Sequence, residues 1–321
     1  MAENKKGARS ALIRGVAPFA PLALALAMTP TFRQPRMPEL VEREPSEEEI
    51  VAVKCDDVQD FRDCHSRFRT GCSKSAGYDP YLNFLKNNLD PPDPDSRPVR
   101  FLSKQDFEVL DTNTPQQLDR SNHLEFRDQL SSQGEGKIFG LIGYLYYAKK
   151  TGAESSNCQL DSEDEEGSNV DYHIGIGFDE DLATRLSSGG HLSAGDRKAL
   201  QQTSIIVEMT PHYRATFETD KWTIDALRQV VGKQVRVVGQ LIIDSEHNVP
   251  SQNCALANTT KQKESCWRAS VWELHPVTQF EFCKAEPCSQ NSTEWAQLGT
   301  SPLAPEVASA PRSGGTNRTH R

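Results

Sequence analysis

The spacing of apolar positions changes character near residue 136. Upstream, apolar residues recur at helical intervals: Val58, Phe61 and Phe68, then the run Tyr81-Leu82-Asn83-Phe84-Leu85. Asp90-Pro-Pro-Asp-Pro-Asp stops that pattern, because proline lacks the amide a helix needs. Ser103 offers an N-cap to the next segment. Thr114-Pro115 opens a further short helix with proline in its first turn, and Ser121 to Leu130 keeps helical register. Downstream the period falls to two, which predicts half-buried strands. Five such stretches follow: residues 137–149, 170–178, 204–210, 235–244 and a last one that closes at Cys283. Ala194 to Gln201 predicts a short helix. Between the third and fourth strands, Ile224, Leu227 and Val231 space a helix that Gly232 ends. Five strands with a helix between the third and fourth is the element order of an OB-type barrel, which closes in the order 1-2-3-5-4. The expected fold is mainly β with α: a five-stranded OB-like barrel over 134–288, preceded by a small helical, disulfide-stapled subdomain over 53–133.

The alternation also sorts side chains onto faces. In the last strand Trp272, Leu274, Thr278, Phe280 and Phe282 share one side, while Val271, Glu273, His275 and Val277 share the other. The second strand sets Tyr172, Ile174 and Ile176 against Asp171, His173, Gly175 and Gly177. The third sets Ile205, Val207 and Met209 against Ile206 and Glu208. Strands 2, 3 and 5 are neighbours in such a barrel, about 5 Å apart. Asp171, His173, Glu208, Glu273 and His275 should therefore meet on one outer sheet face and form a ligand-binding surface there. Gly175 and Gly177 would leave space on it. Asp244 and His247, in Ile243-Asp-Ser-Glu-His, end the fourth strand and approach from the rim. Two imidazoles and a carboxylate can hold a divalent metal, so His173 and His275 with Glu208 or Glu273 form a candidate metal set. Cross-strand Glu–His pairs also stabilise sheets, and a purely structural network reads the same residues equally well.

Composition adds the compartment. Lys5, Lys6, Arg9 and Arg14 precede an apolar run from Val16 to Met28, with Ala25-Leu26-Ala27 as a small-residue cleavage site. Residues 1–27 read as a secretory signal peptide, with an uncleaved N-terminal anchor as the rival. The run is short for a span, and Pro18 and Pro21 interrupt it. The expected mature chain therefore has no membrane span. Proline-rich residues 28–52 read as a disordered linker, and 289–321 as a disordered tail. Eight cysteines, Cys55, Cys64, Cys72, Cys158, Cys254, Cys266, Cys283 and Cys288, suit disulfides in an oxidising compartment, periplasmic or extracellular. Cys254 with Cys266, and a pair among Cys55, Cys64 and Cys72, are the expected local bridges. Net charge is −9, and the basic leader makes the remainder more acidic still. That argues against nucleic acid as a partner. The acidic run 161–166 lacks calcium-loop spacing. A nucleophile pair at Cys64-His65 gives way to a disulfide.

Val170-Asp-Tyr-His, Val207-Glu-Met-Thr-Pro, Val235-Arg-Val-Val-Gly, Asp244-Ser-Glu-His and Trp272-Glu-Leu-His-Pro-Val together resemble motifs of a recurring group of uncharacterised exported bacterial proteins. The likeness covers about residues 136–283. It implies a shared barrel domain and bacterial export, and it brings no activity with it. The leading expectation is an exported binding module for a small ligand or an envelope protein, with no cofactor beyond a candidate divalent metal. A metal-dependent hydrolase built on the same His/Glu cluster, and a structural envelope protein, are the alternatives.

Overall fold

Capping side chains start the helices. Asp79 accepts from the amides of Tyr81 and Leu82 at the head of α2 (Pro80–Lys86), with Pro80 in the first turn. Ser103 and Asp106 close a reciprocal capping box on α3 (Lys104–Asn113). A computed structural model describes residues 46, 50–75, 77–89, 98–161, 167–189, 192–217 and 221–300. Among them α1 (Phe61–Arg67) and α2 come first, then β1 (Phe101–Leu102), α3, α4 (Arg127–Gln133) and β2 (Ile138–Lys150). Next come β3 (Tyr172–Gly177), α5 (Glu180–Ser187), α6 (Ala194–Gln202), β4 (Ile205–Met209), α7 (Pro211–Thr216) and α8 (Ile224–Gln229). The series ends with β5 (Gln234–Ile243), α9 (Thr260–Ser265), β6 (Trp272–Cys283) and β7 (Trp295–Gln297). The leader 1–27, most of the linker, most of the acidic run and the end of the tail lie outside the described residues. None of the described helices is long and apolar enough to cross a membrane.

The strands close into a five-stranded barrel in the order β2-β3-β4-β6-β5, with β5 returning to β2. This is the expected order. The β4–β6 pairing is parallel and the other barrel pairings are antiparallel. β1 adds to β2 and β7 to β6, and neither was expected. β7 lies in the stretch 289–300, which the sequence alone assigns to the tail. Inside the barrel sit Tyr172, Ile174, Ile176, Val207, Met209, Trp272, Leu274, Phe280 and Phe282, all buried. Each such side chain contributes about 1.5–3 kcal/mol by leaving water.

The outer face of β3, β4 and β6 is not a solvent face. Asp171, His173, Glu208, Glu273 and His275 are all buried. The helical section folds back over the barrel wall, with Tyr81, Leu82, Phe84 and Leu85 of α2 packed on Ile242 of β5. A 3-10 turn at Ser155–Asn157 is tied down beside it, since Asn83 and Asn87 donate to Ser155 Oγ and the Ser156 carbonyl. The glycines leave no ligand space either. A Cβ on Gly175 would stand 2.3 Å from the Tyr147 ring, and one on Gly177 would stand 1.8 Å from the Tyr146 ring. Both gaps are filled by tyrosines of β2. The helical section and the barrel accordingly belong to one unit, Glu44–Arg321. All eight cysteines are paired: Cys55–Cys72 and Cys254–Cys266 as expected locally, with Cys64–Cys158 and Cys283–Cys288 completing the set.

Candidate functional site

Strand register sets the cluster. His173 stands opposite Glu208 across β3–β4, and Val207 opposite Leu274 across β4–β6, so the residues one step along each strand share the opposite face. All five expected side chains meet there, each at most 7 % exposed. His173 Nδ1 lies 3.3 Å from Glu208 Oε1, and His275 Nδ1 lies 3.6 Å from Glu208 Oε2. Glu208 thus stands between the two imidazoles. On its other side His275 presents Nε2 to Asp171 Oδ1 at 3.7 Å. Asp244 and His247 pair with each other and join the cluster through a residue the sequence reading missed. That residue is Arg268, fully buried, whose guanidinium donates to Asp244 Oδ2 (2.8 Å) and Glu273 Oε2 (2.6 Å).

The cluster divides into a satisfied half and an unsatisfied half. Burial alone would raise Glu273, but Arg268 overcomes it and holds the carboxyl at about 2. Burial likewise opposes ionisation of Asp244, yet His247, Lys86 and Arg268 keep it well below the usual carboxylate range. For the other two carboxyls the nearby cations, Lys86 and Arg214 for Asp171 and Lys86 for Glu208, do not offset burial. Burial, then Glu154 and Glu208, push Asp171 well above its usual value. Burial, then Glu273, push Glu208 up to about 7. His173 is driven down to about 3, by burial and then by Lys149 and Arg268, so its ring is neutral. Asp171 Oδ1, Glu208 Oε2, His275 Nε2 and His173 Nε2 are buried with no hydrogen-bond partner.

Asp171, Glu208 and His275 each offer one ligand atom, and those atoms lie within 4.8 Å of one another. Such a donor set fits a metal ion. Glu273 is not part of this trio; it orients it. Its Oε1 lies 3.3 Å from His275 Nδ1. When Nδ1–H donates to that carboxylate, the lone pair is left on Nε2, the atom that faces Asp171. Asn157 plays a similar part by donating to Asp171 Oδ2 at 2.7 Å, which leaves Oδ1 bare. His173 flanks the trio through Glu208. On the outer side the half-buried Trp267 ring lies 5.3 Å from the rings of both His173 and His247.

Among the contributors missed from sequence, Arg268 and Trp267 had one signal: an isolated aromatic–cation pair between Cys266 and the last strand. Asn157 and the buried Lys86–Glu154 ion pair (3.3 Å) had none, since the latter joins residues 68 positions apart. In α7, Arg214 donates to the Gly167 and Val170 carbonyls, next to Asp171. His212 stacks on His65 with ring centres 3.9 Å apart. No protein-family model, curated protein or solved structure matches the chain.

Proposed function

We propose that the chain is an exported binding module whose buried ligand is a divalent transition-metal ion, held by Asp171, Glu208 and His275. One observation carries this reading: Asp171, Glu208 and His275 each bring a ligand atom within 4.8 Å of the others in a buried site, and each has a buried polar atom with no hydrogen-bond partner. An imidazole with two carboxylates suits Zn²⁺, Mn²⁺ or Fe²⁺ better than the all-oxygen preference of Ca²⁺. Charge points the same way. Arg268 pairs with Asp244 and Glu273, while among the described residues neither Asp171 nor Glu208 forms an ion pair with a lysine or arginine. A dication would let Asp171 and Glu208 ionise without an unpaired buried charge. Because the ligands come from β4, β6 and the residue just before β3, the ion would tie three neighbouring segments of the barrel together. Bound at 100 times its Kd, it would add about 2.7 kcal/mol of stability. Four disulfides support an oxidising compartment, and the motif resemblance supports bacterial export.

The test is metal analysis of the purified oxidised chain, followed by chelation and thermal unfolding with Zn²⁺ or Mn²⁺ added back. One ion per chain and a raised Tm are expected. Both should be lost in His275→Ala and in Glu208→Gln. Chelated wild-type protein that takes up no ion and keeps the same Tm in every metal would sink the proposal.

The hydrolase reading keeps one specific support. A metal held by only three protein ligands would keep an open position at which a water could be activated. Turnover of a phosphodiester or ester probe that vanishes in Glu208→Gln would make the metal centre catalytic.

A further inference from the structure

A cleft of about 780 Å³ opens on another part of the chain, between α3, the end of α6, the 248–256 loop and Ala269-Ser270. Its size falls within the range of small-molecule sites, roughly 300–1,000 Å³. None of the metal-centre side chains lines it. Phe107, Ile205 and Leu256 supply an apolar wall.

Its polar groups are unbalanced. Asp111, on α3, is fixed by the Val271 amide, which donates to Asp111 Oδ1 at 3.2 Å. Among the described residues no cation forms an ion pair with Asp111. The cleft's lysine, Lys104, is instead matched to Glu108 one helical turn away, at 3.7 Å. Asn248 adds a second acceptor. Its amide nitrogen is committed to the Leu118 carbonyl, and its buried oxygen has no partner. The lining thus offers a carboxyl and an amide oxygen beside an apolar wall, and the cation among its described residues, Lys104, is matched to Glu108. Burial pushes Asp111 up to about 6, with Ser270, the Val271 amide, the nearby Arg268 charge and Asn253 offsetting only part of the cost. A cation placed there would recover that cost.

We propose that this cleft binds a small organic ammonium ion, its charged head at Asp111 and Asn248 and its apolar body along Phe107, Ile205 and Leu256. The site is independent of the metal centre, so either reading can fail alone.

The test uses the full oxidised chain and three six-carbon probes, n-hexylammonium, n-hexanol and hexanoate, titrated by calorimetry or ligand-observed NMR. Hexylammonium should bind one per chain, with the alcohol and the carboxylate on the order of tenfold weaker or more. Asp111→Asn keeps an acceptor for the Val271 amide and should erase the preference for the amine. Leu256→Trp fills the cleft, leaves Asp111 intact and should abolish binding of all three. Equal binding of hexanoate, undiminished hexylammonium binding in Asp111→Asn, or no hexylammonium binding by the wild type would each overturn the proposal.

Discussion

Replacing Arg268 by methionine removes the only guanidinium inside the cluster while keeping much of its volume. Arg268 is fully buried, and it donates to Asp244, to Glu273 and to the Ser270 carbonyl at 2.6–2.8 Å. Both carboxyls it serves are also buried, and each raises the other's cost of ionisation once the cation is gone. Stranding one partner of a buried ion pair costs about 3–5 kcal/mol. Glu273 is stranded here while Asp244 keeps His247, so the middle of that range is expected. Against a total stability of about 5–15 kcal/mol, the loss is about a quarter or more. A chain of this size loses about 2–4 °C per kcal/mol, so Tm should fall by on the order of 10 °C. Urea and thermal unfolding with the disulfides intact measure this directly. The partner variant Glu273→Gln checks the cause. It should cost much less in the Arg268→Met background than in the wild type, with an interaction of about 1–3 kcal/mol. A loss below about 1 kcal/mol in Arg268→Met, or equal costs of Glu273→Gln in both backgrounds, would refute the claim that charge pairing holds this half of the cluster.

Two further perturbations probe the surroundings. Burial holds His212 at about 4 and, with His212 beside it, keeps His65 well below its usual value. The unfolded chain therefore binds more protons below pH 6.5, and stability should fall from there toward pH 4. Denaturant midpoints across that window should flatten in His212→Phe, and an unchanged slope would contradict the assignment. Gly177→Ala should cost about 1–3 kcal/mol because its Cβ would meet the Tyr146 ring, whereas Gly152→Ala, which meets nothing within 4 Å, should unfold within about 0.5 kcal/mol of wild type.

The barrel was legible because period-two alternation does two jobs at once. It marks each strand, and it fixes which residues face inward. Once Tyr172, Val207 and Leu274 fill the interior, Asp171, Glu208 and His275 have to share the other side. The meeting of five ionisable side chains followed from parity and strand order alone. Their burial did not, because it depends on pairings far apart in sequence. Cys64 reaches Cys158 over 94 positions, and Lys86 reaches Glu154 over 68. No local pattern announces such contacts. The space expected at Gly175 and Gly177 failed for a different reason. A bulge between Leu145 and Tyr147 breaks the alternation of β2, and Tyr146 and Tyr147 both reach the glycines of β3. β7 was missed because three residues carry too little periodicity to register.

Why a barrel wall should bury so many charges is itself informative. If the cluster served stability alone, well-packed apolar side chains would do as well or better. Part of it has a structural account: Arg268 matches Asp244 and Glu273, and His247 completes the pairing. The rest has no such account. Asp171 and Glu208 are raised toward their neutral forms, and their bare oxygens face the Nε2 and Nδ1 sides of His275. The two halves join at Glu273, which takes its charge from Arg268 and uses it to orient His275. With Nδ1–H donated to the ionised Glu273, the lone pair of His275 Nε2 is left facing Asp171. The shortage of positive charge in the unsatisfied half is what the proposed cation would answer, and mixed nitrogen and oxygen donors are those a transition metal would take.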